Sequence, residues 1–295
     1  MSSSDKSTLA PPAQPKPRDD ELDVYGLTHP GKVRPVNQDH FLICSLRKQM
    51  QVHLTSLPDS DLLPLMAERL AFVAMVADGV GGSVAGETAS RLAVETVTRY
   101  VAHGMQCYHT MDPEDDRAFL SGLQEAAMQC HADILARAEE EPALQGMATT
   151  LTLWLGVWPR AYLLQVGDSR CYVLHDGELT QISRDQTLAQ ELVDAGVMAR
   201  AEADNTRLAN VLSSAIGGRQ TAPRVTRLDQ AWGNVGLLCS DGLTKDVPDE
   251  RIRERLLTMT SAKQVCEDLL QDALDGGGSD NITLLVGRTV RRAGG

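Results

Sequence analysis

The chain is poor in aromatics and carries no net positive charge. Phe, Tyr and Trp make up 4% of its 295 residues, so leucine, valine and alanine must fill a core built from 42% hydrophobic residues. Acidic residues outnumber basic ones 40 to 28, for a formal net charge of −12. That balance lacks the basic footprint of a nucleic-acid binder, so no nucleic-acid partner is expected. No apolar run approaches the ~18 residues that span a bilayer, and the polar N-terminus has no signal-peptide apolar region. A soluble, cytoplasmic protein with no membrane partner is the expectation. The six cysteines (44, 107, 130, 171, 239 and 266) form no Cys-x-x-Cys pair and read as small core residues in a reducing compartment. His-Glu-x-x-His and Gly-x-x-x-x-Gly-Lys-Ser/Thr are both missing, so zinc-protease and P-loop readings have no support.

Two stretches of one design are present. Leu70–Gly79 and Val235–Gly242 each run an apolar segment into Asp-Gly. Apolar runs of this length read as strands buried on both faces. An aspartate at the end puts its carboxylate at the sheet edge, and glycine lets the backbone turn close to it. Asp-Gly is also a hairpin-turn signal, and the chain holds four such pairs. Asp176-Gly177 sits between alternating segments, as a hairpin would, and Asp275-Gly276 ends a helical pattern. Asp78 and Asp241 alone end long buried runs, and each is open to two readings, turn residue or functional carboxylate.

Residues 1–22, rich in Ser, Pro, Ala and charge, are expected to be a disordered tail. Strands are expected at 24–28 and 40–44, then a long connection over 46–66. Residues 80–87 read as a glycine-bearing loop, followed by a helix with Ala89, Ala93, Val97 and Tyr100 on one face. A second helix is expected to start at Asp112 and Pro113. A strand meander follows from 151, with residues 183–222 as a helical flap. Two closing helices come next, the second opened by Ser261-x-x-Gln264, and a last strand over 281–286. Strand groups and helix groups in this order argue for α+β layers with antiparallel sheets.

Asp39, Asp78, Asp241 and Asp280 each adjoin an expected strand end, and Asp168 adjoins a fifth. Oxygen-only ligation without His or Cys suits Mg²⁺ or Mn²⁺. Any one of these aspartates alone reads better as a turn or cap residue; the case rests on five together. Arg34 lies close enough in sequence to serve the same site. Two ions about 3.5–4 Å apart, with an arginine that can grip two phosphate oxygens, suit phosphoryl chemistry.

The ordered set Arg34-Pro-Val-Asn-Gln-Asp39, Ala77-Asp-Gly-Val-Gly-Gly82, Gly86-Glu-x-Ala-Ser90, Gly146-Met-Ala-Thr-Thr150, Val166-Gly-Asp-Ser-Arg170, Cys239-Ser-Asp-Gly-Leu243 and Asp280-Asn281 resembles the PPM family. These are metal-dependent, type-2C serine/threonine protein phosphatases, and the bacterial branch fits best. The resemblance covers roughly residues 23–288 and places one catalytic domain at 23–290. It implies a four-layer α/β/β/α sandwich of two antiparallel sheets flanked by helices, with the small flap at about 183–222. It further implies two Mn²⁺ or Mg²⁺ ions. Asp78 would bridge them, the Gly79 carbonyl would bind the second, and Asp241 and Asp280 would complete the first. Asp168 with Asp241 would match a weaker third site. Arg34 would hold the phosphate and Asp39 would orient the attacking water. Gly242 is expected to be only a turn. The implied partners are phosphoproteins, with a serine/threonine kinase in opposition and the enzyme a monomer. Four positions depart from the family pattern. Gln38 stands for the usual Glu, Val80 for a histidine of some eukaryotic members, Ser83 for a histidine of bacterial ones, and Ala148 for glycine. Gln38, Ser83 and Ala148 also fit a second reading, a non-catalytic binding module that keeps the fold.

Overall fold

A computed structural model of the chain describes residues 14–48, 68–108, 116–203 and 206–291. The first elements are β1 (Leu22–His29), β2 (Asp39–Lys48), β3 (Glu68–Val80), α1 (Ser83–Tyr108) and α2 (Arg117–Glu140). A meander follows: β4 (Ala148–Thr149), β5 (Leu151–Val157), β6 (Arg160–Val166), β7 (Arg170–His175) and β8 (Glu178–Gln181). The flap holds α3 (Leu188–Asp194) and α4 (Arg200–Ala203), and the chain continues through β9 (Arg224–Asp229) and β10 (Val235–Cys239). Then come α5 (Asp241–Thr244), α6 (Asp249–Leu257), α7 (Ala262–Gly276) and β11 (Ile282–Thr289).

The strands form two antiparallel sheets. One has the order β1-β11-β10-β7-β8, and the other β2-β3-β5-β6-β9 with β4 added on β3. Four layers need three apolar interfaces, and three separate clusters are present. Val73, Met75 and Ala77 of β3 join Ala89, Ala93 and Val97 of α1 and Leu123 and Cys130 of α2. Ala74 and Val76, the alternate residues of the same strand, meet Cys171, Leu238 and Leu285 of the opposite sheet. Leu237, Cys239, Leu284 and Val286 turn the other way, onto Ile252 and Leu256 of α6 and Val265 and Leu269 of α7. Successive side chains of a strand point to opposite faces, so a strand apolar at every position belongs between two layers. That is why the runs before Asp78 and Asp241 do not alternate in polarity.

Local signals set several joints. Asp176 (φ 48°) and Gly177 (φ 81°) turn β7 into β8, both left-handed as a two-residue hairpin turn of this type requires. Ser261 Oγ caps α7 by accepting from Gln264 N at 3.1 Å, while Gln264 Oε1 accepts from Thr260 N, one residue earlier than a standard capping box. Thr187 caps α3 in the same way, at 3.2 Å from Gln190 N.

Other expectations shift. Helix α1 begins at Ser83, so Gly86 and Glu87 belong to the helix and not to a loop. The start expected at Asp112 and Pro113 lies outside the described residues, as does 49–66 of the expected connection, whose residues 46–48 extend β2. The tail expected through residue 22 is ordered from Gln14 onward. Its backbone supplies acceptors that composition does not reveal: Trp158 Nε1 donates to Gln14 O at 3.0 Å, and Trp232 Nε1 to Pro15 O at 2.9 Å. Asp19 then pairs with Arg47 and Arg69, at 2.6 and 2.7 Å. Cys130, Cys171, Cys239 and Cys266 are buried and unbridged.

Truncating a side chain in a filled interface leaves a cavity, so Leu153→Ala, at a fully buried β5 position, should cost about 2–5 kcal/mol in urea unfolding. Leu257→Ala, on the exposed side of α6, should stay within about 0.5 kcal/mol. Equal losses at the two positions would contradict the layer assignment.

Candidate metal centre

The register of β2 and β3 puts Asp39 directly opposite Asp78. By alternation Asp78 shares the face of Ala74 and Val76, toward the other sheet. From that sheet, Asp168 precedes β7, Asp241 follows β10 and Asp280 precedes β11, and these three strands are neighbours in the order β11-β10-β7. All five aspartates therefore gather at one end of the sandwich. Asp241 is the first residue of α5 and not the last of a strand, because β10 ends at Cys239.

Asp39 joins the sheets. Its Oδ2 accepts from Ser240 Oγ and from Thr283 Oγ1, both at 2.7 Å, and both donors belong to the opposite sheet's strand ends. Asp78 is pinned through its backbone: its N–H donates to Thr150 Oγ1 at 3.0 Å, and its carbonyl accepts from Thr149 Oγ1 and Thr150 N, each at 2.9 Å. Thr150 Oγ1 also lies 2.8 Å from Ser169 Oγ, one residue beyond Asp168. Asp280 is gripped by Arg34, whose Nε lies 2.7 Å from Oδ1 and Nη2 2.9 Å from Oδ2. Lys245 Nζ lies 2.6 Å from Asp241 Oδ2 and 2.7 Å from Asp280 Oδ2.

These surroundings set the charges. Burial lifts the Asp39 carboxyl to about 6 against the two hydroxyl hydrogen bonds, with Asp241 and Asp280 adding repulsion. Burial and then Asp241 and Asp185 lift Asp168 to about 8. Burial, followed by Asp39 and Asp241, pushes Asp78 well above the usual carboxylate range, and burial outweighs Lys245 to raise Asp241. Asp280 goes the other way: burial opposes ionisation, but its bonds to Arg34 and Lys245 prevail and lower it. Asp39 Oδ1 and Asp241 Oδ1 are buried with no hydrogen-bond partner among the described residues. Buried carboxylate oxygens without a partner are costly, and a divalent cation is the group that satisfies several at once. The donor set is all hard oxygen, as Mg²⁺ or Mn²⁺ requires. Among the described residues no group of three or more Asp, Glu, His or Cys side chains is arranged to hold a metal ion. A hard cation that retains several waters needs only one or two carboxylates, so the set still fits.

Glycine is required at both Asp-Gly pairs, for a different reason than turning. A Cβ on Gly79 would sit 2.3 Å from the Gly86 carbonyl oxygen, and one on Gly242 would sit 2.0 Å from that of Asn281. Gly242 is thus a contact point between α5 and the lead into β11, which corrects the expectation of a mere turn. Gln38 Nε2 donates to Gly82 O at 3.2 Å, a bond that a carboxylate could not make. Ala148 sits in β4 opposite Val80, and Gly146 (φ 76°) makes the turn before it. The flap is rooted beside Asp168, where Gln186 Oε1 accepts from Gly167 N at 2.8 Å and Arg170 pairs with Asp185 at 2.7 Å. Ser240, Thr283 and Lys245 were not singled out from sequence. Lys245 had a signal, its i+4 spacing from Asp241; the two hydroxyls had none outside the motif.

The protein phosphatase 2C family model matches residues 57–275. The chain belongs to the protein phosphatase 2C family. It is 39% identical over 215 residues to the serine/threonine protein phosphatase PstP of Mycobacterium tuberculosis, covering 73% of this chain and 40% of that protein. The chain thus spans well under half the length of this relative. It is 31% identical over 233 residues to the serine/threonine phosphatase stp of Listeria innocua, covering 75% of this chain and 86% of the relative. A solved structure of the PstP catalytic domain with two manganese ions aligns with a TM-score of 0.69 at 32% identity, over 92% of this chain and 99% of that one. Two antiparallel sheets with flanking helices are thus the 2C-phosphatase architecture, as expected from sequence.

The carboxyl shifts give the metal-free protein a definite pH response. Asp39, Asp78, Asp168 and Asp241 are harder to ionise folded than unfolded, so from about pH 4 to about 8 the folded state holds more protons. Stability must fall as pH rises through that window. Asp280, depressed instead, acts in the opposite sense but only at lower pH. In EDTA the thermal midpoint should drop between pH 5 and 8, and Mn²⁺ should raise it most at pH 8. A midpoint that climbs over this range in EDTA would contradict the assignment.

Proposed function

We propose that the chain is a metal-dependent phosphatase that hydrolyses phosphoserine and phosphothreonine monoesters on proteins. The observation that carries this is the gathering of five aspartates at one sandwich end, two with unpartnered buried oxygens, beside Arg34. The naming of the relatives as serine/threonine phosphatases supports the substrate class. A serine/threonine kinase in the same cell would supply the phosphoproteins, and a cytoplasmic monomer remains our reading. No helix among the described residues is long and apolar enough to cross a membrane.

In this reading the carboxylates of Asp78, Asp241 and Asp280 and the Gly79 carbonyl would hold two Mn²⁺ or Mg²⁺ ions. Asp168, with Asp241, would hold a weaker third. When bound, the ions supply Lewis-acid charge and make water a nucleophile at neutral pH. The protein's own groups do the rest. Arg34 is half-exposed at the rim, and its pairing with Asp280 engages two of five N–H donors, one edge of the fork. The other donors can take phosphate oxygens. Asp39 Oδ1 is the free face of a carboxylate whose other oxygen is fixed by two hydroxyls. It is positioned to orient the attacking water and accept its proton. Asp39, lifted to about 6, is mostly ionised at neutrality yet nearer to it than an ordinary carboxyl, the range in which a general base works best. The retained acidic set weighs against the non-catalytic module, which has no physical need to bury repelling carboxylates.

Hydrolysis of a small aryl phosphate should require Mn²⁺ and vanish in EDTA. Full activity in EDTA, or none with excess Mn²⁺, would sink the proposal. Asp241→Asn should abolish turnover. Arg34→Ala should chiefly raise KM without loss of Mn²⁺ binding; a comparable loss of Mn²⁺ affinity would contradict its role as a phosphate grip.

A further inference from the structure

Lys245 follows α5 directly, and its N–H donates to Asp241 O at 2.9 Å, closing one helical turn. That i+4 step lays its side chain over Asp241. The ammonium reaches a second aspartate from a different strand lead, so Nζ bridges Asp241 Oδ2 (2.6 Å) and Asp280 Oδ2 (2.7 Å). The side chain is 29% exposed, so the head lies largely within the site. Its charge also reaches Asp168. Lys245 therefore touches both carboxylates assigned to one ion, and it acts on the third carboxylate assigned to the weaker site.

We propose that the Lys245 ammonium is a tethered competitor of the divalent ions. It neutralises the Asp241–Asp280 pair in the metal-free protein and must release Asp241 Oδ2 and Asp280 Oδ2 before an ion can take them. This rests on the metal-centre reading above.

Charge supports it. Five aspartates, Arg34 and Lys245 leave three uncompensated negative charges when all are ionised. Two divalent ions turn that into one positive charge, and a third would make it three. A fixed cation inside a carboxylate cluster therefore disfavours each added ion, and most of all a third. Ammonium and metal ion share the same oxygens, so the coupling is reciprocal: whatever strengthens the lysine contact weakens metal binding by the same factor. Arg34 differs, since its hydrogen bonds go to Asp280 from the rim, although its charge also reaches Asp241 and Asp78.

The test is Mn²⁺ titration calorimetry on the full chain, with wild type, Lys245→Met and Lys245→Arg side by side. Lys245→Met removes the charge at similar length and should bind Mn²⁺ at least about tenfold more tightly, with a lower thermal midpoint than wild type in EDTA. Lys245→Arg keeps a cation and should stay near wild type in both readouts. If Lys245→Met does not fold in EDTA, Lys245→Gln replaces it with the same expectation. Unchanged or weaker Mn²⁺ affinity in the uncharged variant, while wild type binds Mn²⁺, overturns the lysine inference alone. No Mn²⁺ binding by wild type or variants overturns the metal-centre reading and this inference with it.

Discussion

Asp39 stands between the two sheets, and much of the site depends on how its carboxylate is shared. One oxygen is committed across the sheet boundary to Ser240 and Thr283, which fixes β2 against β10 and β11 at the working end. The other is buried with no hydrogen-bond partner among the described residues. Strand register then places Asp78 opposite it, and Asp241 follows Ser240 by one residue. A single carboxylate thus helps align the aspartates of both sheets.

That alignment is unfavourable by itself. Buried carboxylates repel and lose hydration, and only part of the cost is offset within the chain. Arg34 and Lys245 secure Asp280 so well that it remains easily ionised, whereas the other four are harder to ionise than usual. The rest of the architecture supplies the stability: three apolar interfaces and backbone contacts so close at Gly79 and Gly242 that no side chain fits. Sites that hold strain ready for a ligand are supported elsewhere in this manner.

Legibility in the sequence followed the range of each interaction. The buried strands before Asp78 and Asp241 were readable because burial on both faces removes the polar alternation. The Asp176-Gly177 hairpin and the cap of α7 were readable because their chemistry is local. The start of α1 at Ser83 was obscured by glycines at 81, 82 and 86, which mimic a loop. The ordering of Gln14–Glu21 was hidden because it depends on tryptophans more than 140 residues away. The bridge from Lys245 to Asp280 spans 35 residues, so only its Asp241 half was visible as an i+4 pair. Gly242 looked like a turn because the carbonyl it approaches belongs to Asn281, on another element.

The central claim is that the two sheets bring their aspartates together to hold divalent ions at this end of the sandwich. Anomalous diffraction at the manganese edge from crystals grown with Mn²⁺ tests it most directly. The account requires two strong peaks, both within coordination distance of Asp78 and one also beside Asp241 and Asp280. Peaks elsewhere on the protein, or none at this end of the sandwich, would contradict it.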